Sequence, residues 1–172
     1  TYKGHGTDRA LAAGILGMEP SDLRLRNALD IAEDEGIKII FQEADLGDVH
    51  PNTVKVLIEG REGEEYEMVG SSIGGSIMVT EVNGSKIEFT GAYPTLVISH
   101  MDVPGVVSQV TALLFELDIN IAFMKVIRSQ KGKEATMVFE LDGKISQEAV
   151  EQIKSFGYIK KVIMINPTKD GE

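Results

Sequence analysis

From Thr95 onward the hydrophobic period changes repeatedly, in an order that few folds can satisfy. Residues 95–101 read as a strand, and 104–117 as an amphipathic helix with Val106, Val110, Leu113 and Leu117 on one face. Residues 119–127 read as a second strand. Ala135, Met137, Phe139 and Leu141 then alternate with Thr136, Val138 and Glu140, the period of a third strand. Ser146 is a good N-cap for a helix carrying Val150 and Ile153, and Ile159, Ile163 and Ile165 mark a closing strand. The order β-α-β-β-α-β predicts a ferredoxin-like unit, a four-stranded antiparallel sheet with both helices on one face.

The first half has a different rhythm. Thr7 is an expected N-cap for a helix through Leu11 and Ile15 to Gly17, with Gly4-His5-Gly6 as a loop aimed at its start. A second helix is expected over 26–35, with Leu29, Ile31 and Ala32 inward and Gly36 closing it. Strands are expected over 37–41, 53–59, 66–73, 76–82 and 86–90, and Asn83-Gly84 is a two-residue hairpin signal. Met78, Met124, Met137 and Met164 fall on strand patterns and read as core. Gly91-Ala92-Tyr93-Pro94 reads as a linker. The expected class is α+β: an α/β domain over 1–92, the ferredoxin-like domain over 93–166 and a flexible tail over 167–172.

Charge and cysteine content restrict the chemistry. The chain of 172 residues carries 27 acidic and 17 basic side chains, a net charge of −10, with basic residues no more concentrated than Lys160-Lys161 or Lys131-Gly132-Lys133. That balance argues against nucleic acid and anionic membrane as partners. No apolar stretch approaches the roughly 18 residues of a membrane helix, and a cytoplasmic location is expected. The absence of cysteine excludes disulfides, thiolate nucleophiles and cysteine-ligated metal centres built from this chain alone. No metal site is expected within it.

Within the ferredoxin-like half, His100-Met101-Asp102-Val103-Pro104-Gly105-Val106 followed by Asp118-Ile119-Asn120-Ile121-Ala122 resembles the ACT family of amino-acid-sensing regulatory domains. Proline suits a first helical turn, glycine lets a ligand or a second backbone approach, and a helix N-terminus offers N–H groups to a carboxylate. The plainer alternative is that Asp102 caps the helix and His100 ends a strand.

Thr1-Tyr2-Lys3-Gly4-His5-Gly6-Thr7-Asp8-Arg9-Ala10, His50-Pro51-Asn52-Thr53 and Ser72-Ile73-Gly74-Gly75, in this order before an ACT-like region, resemble the beta subunit of bacterial iron-sulphur-dependent L-serine dehydratases. The first domain then resembles the allosteric substrate-binding domain that precedes the ACT domain in some D-3-phosphoglycerate dehydrogenases. Beta subunits of the dehydratase family also carry an upstream segment with Ser-Ser-Ser-His-Thr. The sequence begins past that point, at Thr1, and is expected to be a piece of a longer chain.

The resemblance implies conversion of L-serine to pyruvate and ammonia, which needs a Lewis acid for the β-hydroxyl and a base for the α-proton. It implies a [4Fe-4S] cluster held by an iron-sulphur alpha subunit, with this chain forming one wall of the site. His5 is the expected acid-base group. Histidine titrates near neutrality, its flanking glycines allow close approach, and the positive end of the following helix favours neutral imidazole. Gly4, Gly6, Thr7 and Asp8 are weaker substrate-binding candidates, since Thr7 and Asp8 also suit a first helical turn. The alternative for His5 is a loop histidine bonded to backbone. His50, before a proline, is expected at the surface or a strand edge.

In the ACT-like half, His100, Asp102, Gly105, Val106 and Asn120 are the expected effector-binding residues. Asp102 suits the ligand ammonium, Asn120 the carboxylate or hydroxyl, and the N–H groups beyond Pro104 the carboxylate. His100, Asp102 and Asn120 are expected to converge at one sheet edge, at a homodimer interface, with L-serine as the effector. Two rival functions remain: a purely regulatory module related to the C-terminal part of D-3-phosphoglycerate dehydrogenase, and an adaptor that dimerises without ligand.

Overall fold

The computed structural model describes residues 4–167. The chain forms two compact units, the first ending at Asp48 and the second spanning Val49–Pro167.

The first unit is helical. Helix α1 (Thr7–Ile15) leads to a 3-10 turn (Leu23–Asn27) and α2 (Ala28–Asp34). Thr7 is the first helical residue rather than the N-cap. Gly6 holds that place at φ 73°, a left-handed conformation that glycine adopts without steric cost. The helix expected over 26–35 is α2, which starts two residues later because residues 23–27 form the 3-10 turn, whose N-cap Asp22 accepts from the Arg24 backbone N–H at 2.9 Å. Ala12, Ala13, Met18 and Ala28 form a small core with Leu16, Leu25, Leu29, Ile31 and Ile39 around it. Residues 37–41 are not a strand. Ile39 packs against this helical core instead, with no sheet neighbour to complete a ladder.

The second unit opens with an antiparallel sheet, β1 (Thr53–Glu59), β2 (Glu65–Ile73), β3 (Ser76–Val82) and β4 (Ser85–Phe89), in sequential order. Asn83-Gly84 turns β3 into β4 with both φ positive, at 48° and 75°, as the right-handed strand twist requires of a tight hairpin. There follow β5 (Thr95–Met101), α3 (Val106–Glu116), β6 (Ile121–Gln130), β7 (Glu134–Leu141), α4 (Gln147–Lys154) and β8 (Ile159–Ile165). The second sheet runs β6-β7-β5-β8, all neighbours antiparallel, which is the ferredoxin-like order. The fold class is α+β.

Both faces of this second sheet are covered. Leu96, Ile98, Met137, Phe139 and Leu141 pack beneath Val106, Val110, Leu113 and Leu114 of α3 and Val150 and Ile153 of α4. On the other face, Val97 and Val138 join Val79, Val82, Ile87 and Phe89 of the first sheet. The linker 91–94 therefore connects two sheets that share a core inside one unit. Central strand β7 is buried almost throughout, although its sequence alternates like a half-exposed strand. Met137 is core and Met164 flanks it, whereas Met124 is 43% exposed because β6 is an edge strand.

Candidate functional site

Pro104-Gly105 turns the chain from β5 into α3. Gly105 is the helix N-cap at φ 93°, and Val106, 1% exposed, is the first helical residue. No side chain caps this end. Asp102 lies too far upstream to do so, and its carboxylate goes elsewhere. Oδ2 accepts from the Gly132 backbone N–H at 2.7 Å and pairs with Arg128 Nε at 2.7 Å, while the Asp102 N–H donates to the Lys133 carbonyl at 3.3 Å. The loop before α3 is thus tied to the β6–β7 hairpin. The Gly132 N–H, with Arg128 beside it, holds the Asp102 carboxyl below its ordinary value, against a smaller opposing effect of desolvation.

His100 ends β5 on the helix-covered face and is 2% exposed. Its Nδ1 lies 2.7 Å from the Met101 carbonyl, which can only accept, so Nδ1 carries the proton. The other ring nitrogen, Nε2, is buried with no hydrogen-bond partner among the described residues.

Asn120 is elsewhere. Its Nδ2 donates to Asp142 Oδ2 at 2.6 Å, at the end of β7 where Ile121 pairs with Leu141. Asp102 sits by Lys133, at the other end of the same strand. The length of β7 separates them, roughly 20–25 Å at an antiparallel rise. His100, Asp102, Gly105 and Val106 cluster, but Asn120 does not converge with them within one chain. Within one chain they stay apart because β5 and β6 run parallel on either side of β7, so the start of one cannot meet the end of the other. Arg128 was missed because it stands 26 positions from Asp102; only the strand register brings it near.

In the first unit, His5 is exposed in the turn before α1, and Asp8 accepts from the Arg9 N–H at 2.9 Å. Residues 1–3 of the same motif lie outside the described residues. In the second unit, His50 Nδ1 accepts from the Asn52 N–H at 3.2 Å, and Thr53 Oγ1 lies 2.7 Å from Ser71 Oγ. The His50–Thr53 turn therefore stands beside the strand end that leads into the Gly74-Gly75 hairpin, so two motifs apart in sequence share one end of the first sheet. A cavity of about 360 Å³ elsewhere, lined by Ile58, Tyr66, Met68, Val150, Lys154 and Met164 among others, contains none of the expected site residues.

The donor set does not fit an iron-sulphur cluster. Such clusters are held by thiolates and the chain has none, and among the described residues no three of His, Asp and Glu gather as metal ligands. Among those residues, no helix is long and apolar enough to cross a membrane.

Comparison with known proteins matches an ACT domain to residues 95–157. The chain is 40% identical over 149 residues to "L-serine dehydratase, beta chain" of Peptoniphilus asaccharolyticus, covering 86% of this chain and 67% of the relative. It is 38% identical over 166 residues to "Probable L-serine dehydratase, beta chain" of Bacillus subtilis, covering 96% of this chain and 75% of the relative. It is also 30% identical over 159 residues to D-3-phosphoglycerate dehydrogenase of Methanocaldococcus jannaschii, covering 92% of this chain and 30% of that enzyme.

Proposed function

The chain belongs to the L-serine dehydratase beta-chain family and carries an ACT domain, and on that premise we propose that it is the amino-acid-sensing subunit of a cytoplasmic two-subunit lyase. In this reading L-serine loses water and the resulting enamine is hydrolysed to pyruvate and ammonia. The Lewis acid belongs to an alpha subunit, because the donors of this chain suit no iron-sulphur cluster. Its own contribution is a wall of the site. The likeness to the two beta chains carries this half of the reading. The GHGTD loop supports it further, since a sensor needs no exposed histidine between two glycines at a helix start.

His5 acts as acid-base group, and Gly6, Thr7 and Asp8 shape the helix start where a serine carboxylate would sit. In the assembled two-subunit enzyme, His5→Ala should lower kcat by at least ~10²-fold with an unchanged melting temperature. Near-normal turnover would return His5 to an ordinary loop residue.

The ACT domain senses an amino acid, with L-serine the first candidate, at an interface between two copies. This half rests on the distance between Asp102 and Asn120. Edge strand β6 leaves its outer backbone row open, and Met124 and Val126 of β6, Phe115 of α3 and Leu117 just after that helix are exposed. Antiparallel pairing of β6 with its copy would cover these side chains. It would also bring the His100–Asp102 end of one chain to the Asn120 end of the other.

A further inference from the structure

Arg128 shares a row with His100. It pairs with Ala135 across β6–β7, and Ala135 pairs with His100 across β7–β5. Side chains directly opposite in such a row lie on one face, here the helix-covered face of Leu96 and Ile98. Ala135 is fully buried and small, so a long side chain from the edge strand can cross above it. Arg128 does so and reaches Asp102 with Nε at 2.7 Å.

We propose that the Asp102–Arg128 ion pair is a template for the two charged groups of an α-amino acid, with Arg128 the anchor of the ligand carboxylate. The inference rests on the sensor reading above and adds a residue to it. A guanidinium has five N–H donors in a rigid fork. Nε is spent on Asp102, and the terminal amino groups match a carboxylate in bidentate fashion. Asp102 takes both of its recorded hydrogen bonds on Oδ2, which leaves Oδ1 for the ligand ammonium. The pair thereby presents one anionic and one cationic group at one end of the sheet, the complement of a zwitterion. Independently, His100 Nε2 in the same row is a buried polar nitrogen without a partner, and a ligand hydroxyl, which can donate or accept, would supply one.

Calorimetry on the full chain with L-serine and with L-serinamide, which lacks the carboxylate, tests the assignment. The wild type should bind L-serine and prefer it over the amide. Arg128→Gln should weaken L-serine binding by at least ~10-fold and abolish the preference, since a hydrogen-bonded charge pair is lost. Arg128→Lys, which keeps the charge without the fork, should keep part of the preference. Arg128→Gln that binds L-serine as the wild type does, or retains the full preference, overturns the role of Arg128 while the sensor reading stands. A wild-type chain that binds no amino acid overturns both.

Discussion

Glu140 accepts two hydrogen bonds from Thr90 on one carboxylate oxygen, from the backbone N–H at 3.2 Å and from the hydroxyl at 3.1 Å. Glu140 belongs to central strand β7 and is buried, while Thr90 follows β4, so the contact fastens one sheet to the other. Glu140→Ala should cost about 1–2 kcal/mol in urea unfolding of the chain, and Glu140→Gln, which keeps an acceptor, distinctly less. Equal losses would mean that packing, not the acceptor, sets the effect.

Phe89 and Phe139 are both buried, one in the core between the sheets and the other beneath the helices. Because Val97 and Val138 back directly onto Leu96, Ile98 and Phe139 along shared strands, the two cores should melt together. Phe89→Ala and Phe139→Ala should each cost about 3–5 kcal/mol. Each should shift the unfolding of 49–167 as a single transition by both far-UV circular dichroism and hydrogen exchange of β5. Separate transitions would show that the first sheet folds on its own.

Acid should act on the loop before α3. The Asp102 carboxyl is held below its ordinary value by the Gly132 N–H and by Arg128, so its folded pKa lies under the unfolded value of about 3.9. Its contribution is complete above that unfolded value and disappears as pH falls through the lower folded one. The stability difference between wild type and Asp102→Asn should therefore be constant from pH 5 to 7 and shrink at lower pH. Exposure of Arg128 makes the effect smaller in high salt. A difference that persists at acid pH would assign it to something other than this charge.

The open β6 edge gives a test of self-association. Met124→Asp places charge on an exposed apolar position of that edge strand and should yield monomers by sedimentation, with the melting profile of 49–167 otherwise retained. An unchanged dimer would move the interface away from β6.

Much of the second unit was legible because its elements carry strong periods: β5 falls at 95–101 as expected, and Ser146 caps α4, accepting from the Ala149 N–H at 3.2 Å. Asn83-Gly84 likewise placed the β3–β4 hairpin, since only certain residues accept its backbone. Residues 37–41 misled because an apolar run shows that burial will occur, not what will cover it. The same limit hid the burial of Thr136, Val138 and Glu140 under the first sheet. Around the candidate site, His100 and Gly105 were singled out by local sequence alone. Arg128 and the separation of Asn120 depend on strand register, which is fixed by pairing across the sheet and leaves no mark on neighbouring positions.

The sandwich also limits how far the ACT domain can be borrowed. Cut to the residues that match the ACT family, the chain would lose β1 to β4, and β8 with them, and bare Val97 and Val138, which now lie against Val79, Val82, Ile87 and Phe89. The excised piece would carry a sticky apolar plane where most modular domains are polar, and would clump rather than serve as a transplantable part. A transferable module begins no later than Val49, so the ACT domain travels only with its backing sheet attached.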